Sequence, residues 1–182
     1  MKITGMHGPV VESPLKVTLA QGISRGERMD YTVQKAVELG VADILPVLME
    51  RSVVKLDAAN GEKKRQHWQG VAVSACEQSG RVRVPEVHAP LTFPAFLDAQ
   101  RSAGLKLLLD PLAPKAPKDY SAPADARLLL LVGPEGGLSA KERELALKAG
   151  FQGIKLGPRI LRTETAALVA LSLLQSAWGD LG

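Results

Sequence analysis

The chain has 182 residues, a formal net charge of +4 and 46% hydrophobic residues, which suits one globular domain and excludes a disordered chain. A single cysteine, Cys76, excludes an intramolecular disulfide framework, and His7, His67 and His88 never fall at ligand spacing, so no metal site is expected. The longest unbroken apolar run, Ala166–Leu171, is too short to span a bilayer, and Met1–Gly5 has no apolar h-region, so the expectation is a cytoplasmic protein with no membrane partner.

Residues 1–14 carry Gly5, Gly8, Pro9 and Pro14 without periodicity and read as irregular. Leu15, Val17 and Leu19 alternate with polar neighbours, which predicts a strand. Asp30 is placed to cap a helix to about Leu39, with Val33, Ala36 and Val37 on one face and Gly40 as its stop. Ile44–Leu48 predicts a strand with an irregular end at Pro46. A helix is expected over roughly 62–79, where Trp68, Val71, Ala72 and Ala75 share a face. Val82–Val84 predicts a short strand stopped by Pro85, and Thr92 a helix cap for a helix to about Ser102. Leu105–Leu109 and Arg127–Val132 are continuous apolar runs, as in strands buried on both faces of a parallel sheet. Between them, residues 111–125 hold four of the twelve prolines and predict a long loop. Ser139-Ala140-Lys141-Glu142 is a capping box for a helix ending at Gly150. Ile154–Leu156 predicts a last strand, and Thr163 the cap of a final helix to about Trp178. Repeated β-then-α units imply an α/β fold with a mostly parallel sheet flanked by helices.

Two stretches carry chemistry. In Leu128–Ser139 an apolar strand ends in Gly133-Pro134-Glu135-Gly136-Gly137 and a capped helix follows. Glycines there let a backbone approach a ligand, and ligands of open α/β sheets sit where strands end. A plain tight turn accounts for the same residues equally well. The spacing is neither a Walker A loop nor GxGxxG, which counts against nucleotide phosphate. In Leu156-Gly157-Pro158-Arg159-Ile160-Leu161-Arg162-Thr163-Glu164-Thr165-Ala166 a second strand runs into Gly-Pro and a helix. That helix is apolar around nearly its whole circumference apart from Ser172, so it needs cover on all sides. A partner subunit or an entirely internal position would provide it.

Other residues read more plainly. Glu77 and Arg81 stand at i, i+4 as a surface ion pair. Lys63, Lys64, Arg65 and His67 fall in the expected first helical turn, either as a solvated face or toward phosphate. Lys35 and Glu38 pair with chain neighbours or with a partner molecule. Trp68 and Trp178 are packing residues, and Cys76 a small buried one.

The two long motifs, in this order and separation, resemble the SPOUT class of RNA methyltransferases. Within it they resemble the family that methylates N3 of a uridine in small-subunit ribosomal RNA. Gln21-Gly22, Arg28-Met29-Asp30, Gln34–Val41, Glu50-Arg51-Ser52 and Cys76–Arg81 agree, so the match runs from about Glu12 to the C-terminus. The resemblance implies a C-terminal trefoil knot, S-adenosylmethionine as cofactor and a homodimer through the C-terminal helix. It further implies a cofactor pocket of Leu109, Gly133, Glu135, Gly136, Gly137, Leu156, Gly157, Ile160, Leu161 and Thr165. Arg162 would stabilise or orient the uracil, unless it anchors a phosphate or the dimer. Glu135 would orient a substrate or accept a proton, unless it only complements the following helix. Lys35, Glu77, Gln78 and Arg81 would face the RNA. Members of the family begin with a small PUA-like domain. Residues 1–14 are instead an irregular remnant before a methyltransferase domain at 15–182, so that domain is expected to be absent, by truncation or as a natural minimal form. A non-catalytic RNA-binding or ribosome-assembly module with the same fold is the competing expectation.

Overall fold

The computed structural model describes residues 11–54, 57–100 and 104–182. Its elements alternate: β1 (Lys16–Gly22), α1 (Glu27–Glu38), β2 (Asp43–Leu48), α2 (Ala58–Ser79), β3 (Glu86–Val87), β4 (Leu91–Thr92), α3 (Phe93–Ala99), β5 (Leu105–Leu109), β6 (Arg127–Val132), α4 (Ala140–Lys148), β7 (Gln152–Ile154) and α5 (Thr163–Trp178). The sheet order is β3-β2-β1-β6-β5-β7, with β4 also on β2, and every pairing is parallel. In register, Leu19 lies between Ile44 and Leu130 at the centre of the sheet.

The pleat sends alternate side chains to two apolar layers. Leu128 and Leu130 join Val17, Leu19 and Ile44 under α1, α2 and α5. Leu129 and Leu131 join Leu45, Val47 and Leu108 under α3, α4 and Phe151. The two strands expected to be buried on both faces are therefore β5 and β6. The expected α/β architecture with a parallel sheet is present. No helix among the described residues is long and apolar enough to cross a membrane.

Several boundaries differ from the sequence expectations. Helix α1 starts before Asp30, after Gly26 at φ 60°. Asp30 is instead taken by α2: it accepts from Trp68 Nε1 at 3.1 Å and meets His67 Nε2 at 2.7 Å. Helix α2 starts earlier than expected because the Asp57 carboxylate caps it, accepting from the Asn60 amide. Lys63, Lys64 and Arg65 consequently lie beyond the first turn, and Arg65 pairs with Glu62. Val82–Val84 form no strand. The Val82 and Arg83 amides donate to the Glu12 carboxylate at 3.2 and 3.0 Å, which removes them from a ladder. The edge strand is the next pair, Glu86–Val87. Strand β7 ends at Ile154, since Lys155 turns aside to donate its amide to the Lys115 carbonyl. Helix α3 ends at Ala99, and the rest of its expected span reaches residues 101–103, outside the described ones. The irregular reading of residues 1–14 falls mostly outside them too.

Helix α5 is covered on one side only. Ala167, Ala170, Leu171, Leu174 and Gln175 are buried, whereas Leu173 is 45% exposed. Its last turn is stapled to the beginning of the domain. Buried Gln175 accepts from Ser13 Oγ at 2.6 Å and donates to the Gly40 carbonyl at 3.3 Å.

Candidate functional site

In a parallel sheet the crossover helices run back, so strand C-termini and helix N-termini share one end of the molecule. At that end lies a cavity of about 610 Å³, within the usual range of small-molecule sites, roughly 300–1,000 Å³. Three segments wall it: the exit of β5 at 108–112, the exit of β6 at 132–138 and the stretch from β7 into α5 at 154–164. Leu109, Leu156, Ile160 and Leu161 line it together with the glycine-rich backbone of 133–137.

The glycines have separate tasks. Gly137 and Gly157 take φ of +66° and +86°, and a Cβ on either would meet no protein atom within 4 Å. They let the two loops turn back while leaving space open. Gly22 serves a close approach instead: a Cβ there would lie 2.4 Å from the Pro134 nitrogen, so β1 and the β6 exit touch backbone to backbone.

Hydrogen bonds then fix the walls. The Ser139–Glu142 capping box forms as expected. Buried Glu142 extends it, its Oε1 accepting from the Glu50 amide at 2.8 Å. Thr163 is the first residue of α5, not its cap; Arg162 holds the cap position without a side-chain bond. The Thr163 hydroxyl is engaged elsewhere: it donates to the Gly133 carbonyl at 2.5 Å and accepts from Gln21 Nε2 at 2.9 Å. This chain ties β1, the β6 exit and α5 together. Asp110, 6% exposed, accepts from Arg143 Nε at 2.6 Å and from the Leu112 amide at 2.9 Å, holding the β5 exit against α4.

Every expected cofactor residue lines the cavity except Thr165, which is exposed beyond it. Arg162 lines it too, exposed and without a side-chain partner among the described residues. Glu135 lines it but is held: Oε1 accepts from the Arg25 amide at 2.9 Å and from Arg28 at 3.3 Å. Arg28, Asp110 and Arg143 are wall residues that sequence reasoning gave no role, and Thr163 is one it read only as a helix cap. The Arg28-Met29-Asp30 motif held the signal for one of them.

The four expected RNA residues lie elsewhere. Lys35, Glu77, Gln78 and Arg81 sit at or just beyond the C-terminal ends of α1 and α2, at the opposite end of the sheet. Lys35 pairs with Glu38 at 2.7 Å. Arg81 is neither a surface ion pair with Glu77 nor open to RNA. Its side chain is 5% exposed and meets Glu12 at 2.7 Å. One guanidinium nitrogen donates to the carbonyls of Val37 and Val41 at 3.0 and 2.9 Å, finishing α1. Burial alone would raise the Glu12 carboxyl. Hydrogen bonds from Arg81 and from the Arg83 and Val82 amides outweigh it and hold Glu12 below the usual carboxylate range. Glu77 and Gln78 are exposed there. Burial in the same region pushes the Cys76 thiol up, in keeping with a packing residue.

Residues 11–175 match the family model of the RNA methyltransferase domain. The chain belongs to the RNA methyltransferase family. A Neisseria gonorrhoeae ribosomal RNA small subunit methyltransferase E, crystallised with S-adenosylmethionine, is 44% identical, with a TM-score of 0.88 over 94% of this chain and 70% of that one. A putative methyltransferase of Legionella pneumophila, in complex with the same cofactor, is 47% identical, with a TM-score of 0.89 over 94% and 70%. A ribosomal RNA small subunit methyltransferase E of Buchnera aphidicola is 35% identical over 93% of this chain and 67% of its own length. The chain spans about two thirds of the curated relatives it matches. Among RNA methyltransferases the fold is SPOUT-type.

Proposed function

We propose that this RNA methyltransferase binds S-adenosylmethionine in the cavity at the strand C-termini and methylates N3 of a uridine in small-subunit ribosomal RNA. The observation that carries the reading is the cavity itself. Its volume, its apolar walls and two glycines that leave open space suit a flat base joined to a flexible amino-acid tail. Leu109, Leu156, Ile160 and Leu161 would cover the apolar parts of the cofactor, and backbone groups of Gly133, Gly136, Gly137 and Gly157 its polar edges. Thr165 is the one expected cofactor residue that the cavity wall does not include. When bound, the cofactor supplies a methyl group already activated by a sulfonium charge.

The chain's own residues must then make a poor nucleophile reactive. Uracil N3 carries a proton and forms the pairing edge, so the base has to be unpaired before it enters. Loss of that proton to solvent water leaves negative charge on the ring. Arg162, unrestrained at the cavity wall, would stabilise that charge. Glu135 would act by orientation, because one carboxylate oxygen is already committed to Arg25 and Arg28. The exposed side of α5, around Leu173, would form the homodimer contact, and the C-terminal segment would follow the knotted path of its class.

Calorimetric titration of S-adenosylmethionine tests the reading: about one site per folded chain is expected, and no binding would favour the non-catalytic module. Arg162→Ala should then lower methyl transfer to small-subunit ribosomal RNA about 10²- to 10³-fold with little change in cofactor affinity. Nucleoside mass spectrometry of the product would identify the methylated position.

A further inference from the structure

Resting on the function just proposed, we propose that RNA approaches along the cavity end of the sheet, its phosphates held by a strip formed by Arg25, Arg28, Arg51 and Arg159. These residues come from three separate segments, yet three of them gather around the Glu135-Gly136 turn and the fourth lines the same cavity. The Arg25 amide and the Arg28 guanidinium both reach Glu135. Arg51 donates to the Gly136 carbonyl at 3.2 Å, and its Cβ lies so close that a Cβ on Gly136 would stand 2.8 Å from it. Arg28 and Arg159 line the cavity. All four side chains are exposed. Around the cavity mouth, Lys155 and Arg162 add exposed cations, while the exposed carboxylates among the described residues of the neighbouring loops are Glu27, Glu50 and Asp57. Asp110 and Glu135 are matched by Arg143 and Arg28, and half-buried Glu164 is a further carboxylate on the wall, outnumbered by the exposed Arg25, Arg51, Lys155, Arg159 and Arg162.

The position is informative because it is costly. Arg28 lies in the first turn of α1 and Arg159 just before α5, where the helix dipoles disfavour positive charge. Glu135 already offsets part of that cost at Arg28, whereas Arg159 has no ion pair among the described residues; a polyanion relieves the remainder, and arginine forks suit phosphate oxygens. The opposite end differs: Arg81 is buried on Glu12, Lys35 is paired with Glu38, and the exposed Arg83 follows directly on the Glu12 cluster. A strand gripped there would also lie a full sheet length from the cavity. The phosphate strip instead borders the opening through which the target base must pass.

The test compares two charge-matched variants of the full chain. Arg25→Gln with Arg159→Gln removes two exposed cations at the cavity end. Lys35→Gln with Arg83→Gln removes two at the other. The probe is a uridine-rich single-stranded RNA of about 20 nucleotides, titrated at several salt concentrations. The first variant should bind about tenfold or more weakly at low salt, with a salt slope shallower by roughly 0.7 for each lost phosphate contact. The second should stay within about twofold of the parent, the loss that screened distant charges allow. Thermal midpoints within a few degrees of the parent confirm that both doubles fold. Equal losses, a larger loss in the second variant, or no binding by the parent chain would each overturn the strip. Cofactor titration on the parent is read separately, so a failed methyltransferase reading and a failed RNA surface leave different results.

Discussion

The two ends of the sheet use their polar groups differently. At the end where β1 begins, Glu12 accepts from the Arg81 side chain and two backbone amides, and Gln175 bonds both Ser13 and Gly40. At the cavity end, hydrogen bonding is incomplete. Among the described residues, the buried side-chain atoms without a partner are Gln21 Oε1, Ser24 Oγ, Glu135 Oε2 and Glu164 Oε2. All four belong to segments that meet at the β1 exit, the glycine-rich turn and the start of α5. Unsatisfied buried polar atoms are uncommon and each costs stability. Their concentration at one end separates a region arranged for stability from one arranged for ligands.

The sharpest way to break this contrast is at the satisfied end. Arg81→Met should cost about 3–5 kcal/mol in urea unfolding, because it strands a part-buried carboxylate and two helix-terminal carbonyls. A loss below about 1 kcal/mol would mean that the Glu12 cluster is not the stabilising end. At the cavity end, Thr163→Val leaves the Gly133 carbonyl unpaired and removes one of the two acceptors of the Gln21 amide, which keeps the Gly22 carbonyl. It should cost about 1–3 kcal/mol and weaken cofactor binding, with Thr163→Ser restoring both. If Val and Ser behave alike, the hydroxyl does not tie the loops. The smallest effect is a pH dependence. The Glu12 carboxyl is lowered in the folded chain, so its stabilisation is present above the unfolded value near 4.5 and is lost as pH falls through the folded value. Acid unfolding should thus begin below about pH 4.5 and shift in Glu12→Gln. An identical acid limb in the variant would assign that loss of stability to other carboxylates.

What the sequence made legible follows from the range of each signal. Strands β5 and β6 were readable because burial on both faces leaves an unbroken apolar run, and the Ser139–Glu142 box because its partners are three residues apart. Thr163 looked like a cap because nothing nearby in sequence shows that the Gly133 carbonyl competes for its hydroxyl. Arg81 looked like a surface partner of Glu77 because Glu12 lies far upstream. The glycine-rich turn announced a cavity, but Arg28, Asp110 and Arg143 reach its wall only through topology. Helices that run back along the sheet likewise carried Lys35, Glu77 and Gln78 away from it, which spacing along α1 and α2 could not reveal.

The placement of β1 bears on how the chain is made. It is a central strand, with Val17 paired to Leu128 of β6 on one side and Thr18 to Asp43 of β2 on the other. Its β2 neighbour leaves the ribosome soon after it, but β6 emerges only after α2, α3 and β5 have been synthesised. Throughout that interval the nascent chain presents a bare, apolar strand edge, a template for pairing with other chains. Slow translation between β2 and β6 would prolong that exposure, so yield in the cell should fall as elongation slows, independently of final stability.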